Sequence, residues 1–120
     1  MTEPIEAVGT TPAWAADAAD VRAFTARLGL PGLFDAHTHF LPERLQAKVW
    51  AQFDAAGPLI GRPWPIRYRQ STAERVEILR AFGVLRFPSL PYAHRPGVAE
   101  GLNAWSAAFA DGVPEAIRSA

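Results

Sequence analysis

The chain has 120 residues, of which 49% are hydrophobic and 20% charged, a composition typical of one folded globular domain and not of a disordered protein. Twelve basic and twelve acidic residues give a formal net charge of zero, which argues against nucleic acid or an anionic membrane surface as a partner. No apolar stretch approaches the roughly 18 residues that cross a bilayer, and the polar N-terminus does not resemble a secretory signal. We therefore expect a cytoplasmic protein. Because the chain lacks cysteine, any metal must be bound by histidine, carboxylate or other oxygen ligands.

The N-terminal part of the chain predicts a leader followed by a helix. Residues 1–11 are polar and are expected to form a flexible leader. Residues 12–28 are rich in alanine, and Gly29 is placed to end a helix in the left-handed conformation. The apolar spacing predicts an inner helix face made of Trp14, Ala18, Val21, either Phe24 or Thr25, and Leu28.

A short apolar segment with two histidines follows this helix. Residues 33–40 lie between the breakers Pro31-Gly32 and Leu41-Pro42, which predicts a buried strand. Side chains on a strand repeat with period two, so Asp35, His37 and His39 are expected to project from the same face.

The remaining chain alternates between helical and extended patterns. A helix is predicted over 42–56, stopped by Gly57-Pro58, and an irregular loop over 57–70 follows it. The capping box Ser71-Thr72-Ala73-Glu74 begins a helix over 71–82, which leads to a strand over 84–90 and an irregular exit over 91–97. A helix over 98–110, with Leu102, Trp105 or Ser106, and Phe109 facing inward, precedes a short helical piece over 115–119. Strands that alternate with helices indicate an α/β fold with parallel strands. A parallel sheet needs both of its faces covered. The two predicted strands alone do not make a whole sheet of this kind.

The two histidines carry the sharpest chemical signal in the sequence. On a strand, His37 and His39 lie roughly 6.6 Å apart along the chain, so their imidazoles can converge on one metal ion. The alternative is a pair of histidines that hydrogen-bond to the backbone without binding metal.

Several further side chains are candidates for substrate contacts. Arginines pair with carboxylates through two parallel hydrogen bonds, and an aromatic ring in a proline-rich loop can line a pocket. His94 follows the second strand and is a candidate third ligand or substrate contact. For each of these residues, a solvated or packing role is the alternative. The candidates are Trp64, Arg67, Arg69, His94 and Arg95.

The motif Asp35-Ala36-His37-Thr38-His39 resembles the metal-binding opening of the amidohydrolase superfamily, and more narrowly its amidohydrolase-2 branch of hydrolases, lactonases and non-oxidative decarboxylases. The resemblance covers residues 28–110. It extends to Leu41-Pro42 before an amphipathic helix, to the helix that runs from Glu74-Arg75-Val76 into Phe82-Gly83-Val84, and to Asn103-Ala104-Trp105. Only the two histidines are chemically specific.

The resemblance implies a (β/α)8 barrel of the TIM type with a divalent metal, zinc or manganese, at the carboxyl ends of its strands. His37 and His39 would be metal ligands, and Asp35 would orient the strand end or a histidine without binding the metal. The metal would lower the pKa of a water molecule and polarise the substrate carbonyl. The implied function is hydrolysis of an amide, ester or lactone in a small molecule, with carboxylates among the possible substrates. Decarboxylation of a small ring acid is the nearest variant.

A complete barrel takes about 250 residues, so the resemblance implies that this chain is a single incomplete domain. Residues 12–120 would form the first two βα units, and later strands would supply the remaining ligands. The partner would be the remaining barrel segment or a second copy of the chain. An alternative function is a catalytically inactive fragment that acts only by associating with a partner chain.

Overall fold

The computed structural model describes residues 11–119, and the predicted leader lies outside the described residues except for Thr11. Within this range the chain is a mixed α/β structure, and none of its helices is long and apolar enough to cross a membrane. The elements are α1 (Trp14–Arg27), β1 (Leu33–Phe34), α2 (Glu43–Asp54), α3 (Gly57–Ile60), α4 (Thr72–Ala81), β2 (Val84–Pro88), α5 (Ala99–Gly112) and β3 (Ala116–Ile117).

The three strands form a small parallel sheet in the order β1-β2-β3. The register pairs Leu33 with Val84 and Phe87 with Ala116. Helix α4 packs against β2 and α1, while α5 packs against β3. The α/β class with parallel strands is therefore confirmed for the described residues.

Helix α1 ends as the sequence predicts, and the structure decides which residue faces inward. Gly29 has a φ of 68°, and the amides of Gly29 and Leu30 donate to the carbonyls of Ala26 and Thr25, which is a Schellman cap. Thr25 is buried, whereas Phe24 is 53% exposed. Thr25 therefore lies on the inner face of the helix. Its hydroxyl is satisfied there because it donates a hydrogen bond to the carbonyl of Arg22 in the same helix.

Helix α4 is fixed at both ends by side chains. The predicted capping box is confirmed, since the Glu74 amide donates to Ser71 Oγ at 3.2 Å and the Ser71 amide donates to Glu74 Oε2 at 2.8 Å. Hydrogen bonding by Ser71, through its backbone amide first and its side chain second, lowers the pKa of the Glu74 carboxyl group. At the other end, Arg22 Nε donates to the Ala81 carbonyl at 2.7 Å, which satisfies a free carbonyl at the end of the helix and joins α1 to α4.

The predicted strand over 33–40 is wrong in length, because only Leu33 and Phe34 form regular strand. The Asp35 carboxylate accepts a hydrogen bond from the amide of His37 at 3.0 Å, and this local turn competes with the ladder. Pro88 in the neighbouring strand has no amide hydrogen to donate. The next backbone hydrogen bond across the gap joins the Leu90 amide to the Thr38 carbonyl at 3.0 Å, so the segment still runs beside β2.

Two other predictions are corrected. The helical piece expected over 115–119 is wrong, because this segment supplies β3, and the Phe87 amide donates to the Glu115 carbonyl at 3.0 Å. The Arg80 guanidinium donates hydrogen bonds of 2.7 and 3.0 Å to the Glu115 carboxylate. These hydrogen bonds also lower the pKa of the Glu115 carboxyl group. The loop expected over 57–70 begins with the short helix α3, because Pro58 suits the first turn of a helix as well as the end of one.

The hydrophobic core lies between the sheet and helices α4 and α5. Phe40 and Phe87 are almost completely buried, and Phe109 of α5 stacks on Phe40 at 4.7 Å between ring centroids. Buried Ser106 donates to the Ser89 carbonyl at 2.9 Å and so attaches α5 to the end of β2. Phe40 immediately follows His39, so the core directly supports the histidine segment. The buried core residues are Phe40, Val76, Val84, Phe87 and Ala116.

Gly32 allows β1 to approach β2 closely. A Cβ atom at this position would lie 2.6 Å from Leu85 Cγ and 2.7 Å from the Gly83 carbonyl oxygen. This oxygen is held in place because it accepts a hydrogen bond from the Leu33 amide.

We expect Gly32→Ala to lower the free energy of unfolding by about 1–3 kcal/mol, measured by urea denaturation. Gly101→Ala in α5, where no atom of the described residues lies within 4 Å of the added Cβ, should raise the free energy of unfolding by about 0.5–1 kcal/mol. Equal stability of the two variants would contradict this account.

Candidate metal site

The side chains of His37 and His39, here called the histidine pair, meet just beyond β1. Their Nε2 atoms lie 2.9 Å apart, and their rings make an edge-to-face contact at 4.8 Å. The two imidazoles lie in contact as expected, but an irregular segment brings them together and not a regular strand, and their binding of a metal stays a prediction.

The protonation of the histidine pair follows from its hydrogen bonds. His39 Nδ1 lies 2.8 Å from the Leu90 carbonyl oxygen, which only accepts, so Nδ1 carries the proton. In neutral His39 the lone pair is then on Nε2 and faces His37. The Nε2 atom of neutral His37 must be the donor in the contact between them. Metal binding to Nε2 of neutral His37 would therefore require its proton to move from Nε2 to Nδ1, so that the ring keeps its single N–H.

The donor set fits a divalent metal ion such as zinc. Two nitrogens bound at 2.0–2.1 Å in tetrahedral geometry lie roughly 3.3 Å apart, so the pair needs to open by only a few tenths of an ångström. The anchored tautomer of His39 is the arrangement found in metal sites, where the second ring nitrogen donates to a carbonyl or carboxylate. Within residues 11–119, no group of three or more histidine or acidic side chains is arranged to hold a metal, so the described ligand set consists of two nitrogens.

Hydrogen bonds fix the backbone of the histidine segment on both sides. The Asp35 carboxylate accepts a hydrogen bond from the His37 amide and so fixes the backbone of the first histidine. Thr38 Oγ1 donates to the Pro88 carbonyl, and Arg75 Nη1 donates to the His39 carbonyl at 3.0 Å. The pair is thus held by contacts from β2 and α4.

Arg75 is a functional candidate that the sequence predictions missed. It is 8% exposed, its guanidinium lies 4.5 Å from the Phe40 ring centroid and 5.7 Å from that of Tyr68, and its buried Nε has no hydrogen-bond partner in the described structure. Burial lowers the pKa of Arg75, and the nearby Tyr68 partly opposes this shift. Helical spacing was an available signal, since Arg75 lies four residues before Leu79 on the inner side of α4.

Arg75→Lys is expected to lower the affinity of the histidine pair for Zn²⁺ by about 10-fold, because lysine cannot contact the His39 carbonyl and the two rings at once. The substitution keeps the positive charge, so long-range repulsion of the metal is unchanged. Competition with a chromogenic chelator measures the affinity. Arg62→Lys, at an exposed position, is the matched control and should leave the affinity unchanged. The same affinity in both variants would remove Arg75 from the site.

Two cavities adjoin the histidine pair. The first, here called the pair cavity, has a volume of about 290 Å³ and lies between the histidine segment and α4, with Asp35, Arg75 and Tyr68 in its wall. The second, here called the aromatic cavity, has a volume of about 440 Å³ and lies between α2 and the loop after α3. His39 lines both cavities, whereas His37 lines the pair cavity, so a molecule in the aromatic cavity would border the histidine pair through His39.

The predicted substrate contacts fall into different places. Trp64 and Arg67 line the aromatic cavity beside His39. Arg69 is instead bound to Asp54 of α2 through hydrogen bonds of 2.5 and 3.3 Å. His94 lines a different cavity beside α2, and Arg95 is exposed in the segment that follows β2. The structure therefore brings Trp64 and Arg67 to the candidate site and leaves the other three at its periphery or beyond it.

Tyr68 and Tyr92 were not predicted as site residues, yet both line the aromatic cavity. The Tyr92 ring contacts His39 edge to face at 5.4 Å. Burial raises the pKa of the Tyr92 hydroxyl, and the interaction with Tyr68 raises it further.

Comparison of the chain with protein-family models, curated proteins and solved structures gives no match. The chemistry of the site therefore rests on its own residues.

Proposed function

We propose that the chain forms the first βα units of a (β/α)8 barrel of the amidohydrolase type and that the histidine pair contributes two ligands to a divalent metal, zinc or manganese. The observation that carries this proposal is the 2.9 Å separation of the two Nε2 atoms, with His39 Nδ1 held by the Leu90 carbonyl. The parallel order of β1 and β2, with the pair just beyond β1, is consistent with a barrel whose site lies at the carboxyl ends of its strands.

The proposed reaction is hydrolysis of an amide, ester or lactone, with decarboxylation of a small ring acid as the nearest variant. A divalent cation bound there supplies a water of lowered pKa and polarises a carbonyl oxygen. His37 and His39 would hold that cation through Nε2, and the Leu90 carbonyl keeps His39 in the tautomer that leaves its Nε2 free to bind. Asp35 holds the His37 backbone, while Arg75 holds the His39 carbonyl.

The decisive experiment is a titration of the 120-residue chain with Zn²⁺, followed by NMR of its three histidine rings. We expect one zinc per chain and shifts of the His37 and His39 ring signals, with His94 unchanged. His94→Gln is the matched control and should bind zinc as the original chain does. Equal responses of all three histidines, or no saturable binding, would exclude a site at the histidine pair.

A second candidate function is association with a partner chain without catalysis by this chain. Phe34 of β1 is 61% exposed and Leu85 of β2 is 50% exposed, so apolar side chains of two neighbouring strands face solvent. Sedimentation velocity with Phe34→Glu tests this function, and Leu59→Glu on α3, where Leu59 is 82% exposed, is the control. Association that Phe34→Glu abolishes and Leu59→Glu preserves would support it, whereas a chain that stays monomeric would contradict self-association.

A further inference from the structure

The aromatic cavity has a lining suited to a flat ring. Phe53, Trp64, Tyr68 and Tyr92 contribute aromatic side chains to its wall, and Phe53 meets Trp64 edge to face at 6.2 Å. Trp64 is 54% exposed and Tyr68 is 44% exposed, so apolar ring surface faces solvent at this position. A volume of about 440 Å³ is within the range of ligand cavities, and such cavities usually combine apolar walls with a few polar groups.

Gln46 provides an unsatisfied polar group in this wall. It lies on α2 and is 4% exposed, and its buried Oε1 atom accepts no hydrogen bond in the described structure. Buried amide oxygens normally have a donor, because burial without one is unfavourable. Trp50 Nε1, one helical turn further along α2, is also buried, and among residues 11–119 it has no acceptor and does not donate to Gln46.

We propose that the aromatic cavity binds a planar ring that carries a hydroxyl or amino group, and that the Gln46 side chain, which lines the cavity, turns its buried Oε1 atom toward this group to accept a hydrogen bond. The aromatic side chains contact the faces and edges of the ring, and His39 borders the same space. The inference rests on the proposed function in one respect, since a ring bound there becomes the part of a substrate that extends from the metal at the histidine pair.

The test compares two probes of which only the first can donate a hydrogen bond, the second carrying a methyl group in place of the donated hydrogen. Phenol and anisole are titrated separately into the 120-residue chain with a chelator present, and binding is followed by NMR of the tryptophan indole signals. We expect phenol to bind about 3- to 10-fold more tightly than anisole, the difference that one net hydrogen bond supplies. Aniline and N,N-dimethylaniline form a second pair and should show the same order.

Variants locate the hydrogen bond. Gln46→Leu should remove the preference for phenol over anisole. Gln52→Leu, an exposed glutamine on the same helix, is the matched control and should keep the preference. Trp50→Phe should also keep it, which separates an open Gln46 acceptor from one that Trp50 satisfies in solution. Trp64→Ala should weaken both probes by about 10-fold, because the ring contact is lost.

Equal affinities for phenol and anisole in the original chain would overturn the proposal, as would a preference that survives Gln46→Leu or the absence of saturable binding. The metal-free conditions separate this inference from the proposed function. If the preference is found but the chain binds no zinc, the cavity assignment holds and the metal assignment fails. If zinc binds but the probes do not, the reverse is true.

Discussion

Replacing both His37 and His39 by alanine is expected to lower the affinity of the chain for Zn²⁺ by at least about 100-fold. Loss of a residue that merely supports a metal ligand typically costs 10- to 100-fold, and this variant removes both described ligands. Both imidazoles lie at the surface or only partly buried, so the fold should persist. Chelator competition measures the affinity, and circular dichroism checks the fold.

The two single variants should differ in stability. His39→Ala removes the hydrogen bond to the Leu90 carbonyl and the contact with Tyr92, so we expect a loss of about 1 kcal/mol in the free energy of unfolding. His37→Ala should cost less, because its exposed ring contacts mainly His39. His94→Ala is the control for both and should change neither stability nor zinc affinity. Zinc affinity that survives the double substitution would show that the metal binds elsewhere.

Phe40→Ala is expected to lower the free energy of unfolding by about 4 kcal/mol, because it leaves a cavity in the centre of the core. The ring is 2% exposed, stacks on Phe109, lies 5.4 Å from the Phe87 centroid, and carries the Arg75 guanidinium on its face. Urea denaturation measures the loss. Since Phe40 follows His39 directly, the variant should also weaken zinc binding wherever it remains folded.

Graded substitutions test whether the loss at Phe40 comes from packing. Phe40→Leu keeps most of the volume and should cost about 1 kcal/mol. Phe34→Ala removes an aromatic ring from the same segment at a position that is 61% exposed, and it should change stability by about 0.5 kcal/mol or less. Similar losses at Phe34 and Phe40 would contradict the burial described for this segment.

The helices were predictable because their signals are local. The Ser71–Glu74 capping box and Gly29 mark helix ends through contacts within a few residues, and both were found as predicted. Leu102 and Ser106 of α5 are buried on the predicted inner face. The two histidines lie together as expected, but they do so on an irregular segment, so the side-chain period of a regular strand does not account for their approach.

The strands and the remaining site depend on contacts that are distant in sequence. Strand β3 has two residues, and its pairing with Phe87 and Pro88 joins segments almost thirty positions apart, so its sequence alone did not distinguish it from a helix. Strand β1 is shortened by Asp35 and by a proline in its neighbour. Helical spacing places Arg75 on the inner side of α4, but its contacts with Phe40 and Tyr68 come from other segments and are not part of that local pattern.

The contact between Arg69 and Asp54 bears on how tightly the aromatic cavity can hold a ligand. Arg69 also donates to the Ile66 carbonyl at 2.9 Å and lies over the Trp50 ring at 5.4 Å, so the loop with Trp64 and Tyr68 is fastened to α2. Ordering a loose loop around a ligand would subtract from the binding free energy. In this protein the attachment to α2 orders the loop before any ligand arrives, so a small ring can bind without that entropic cost.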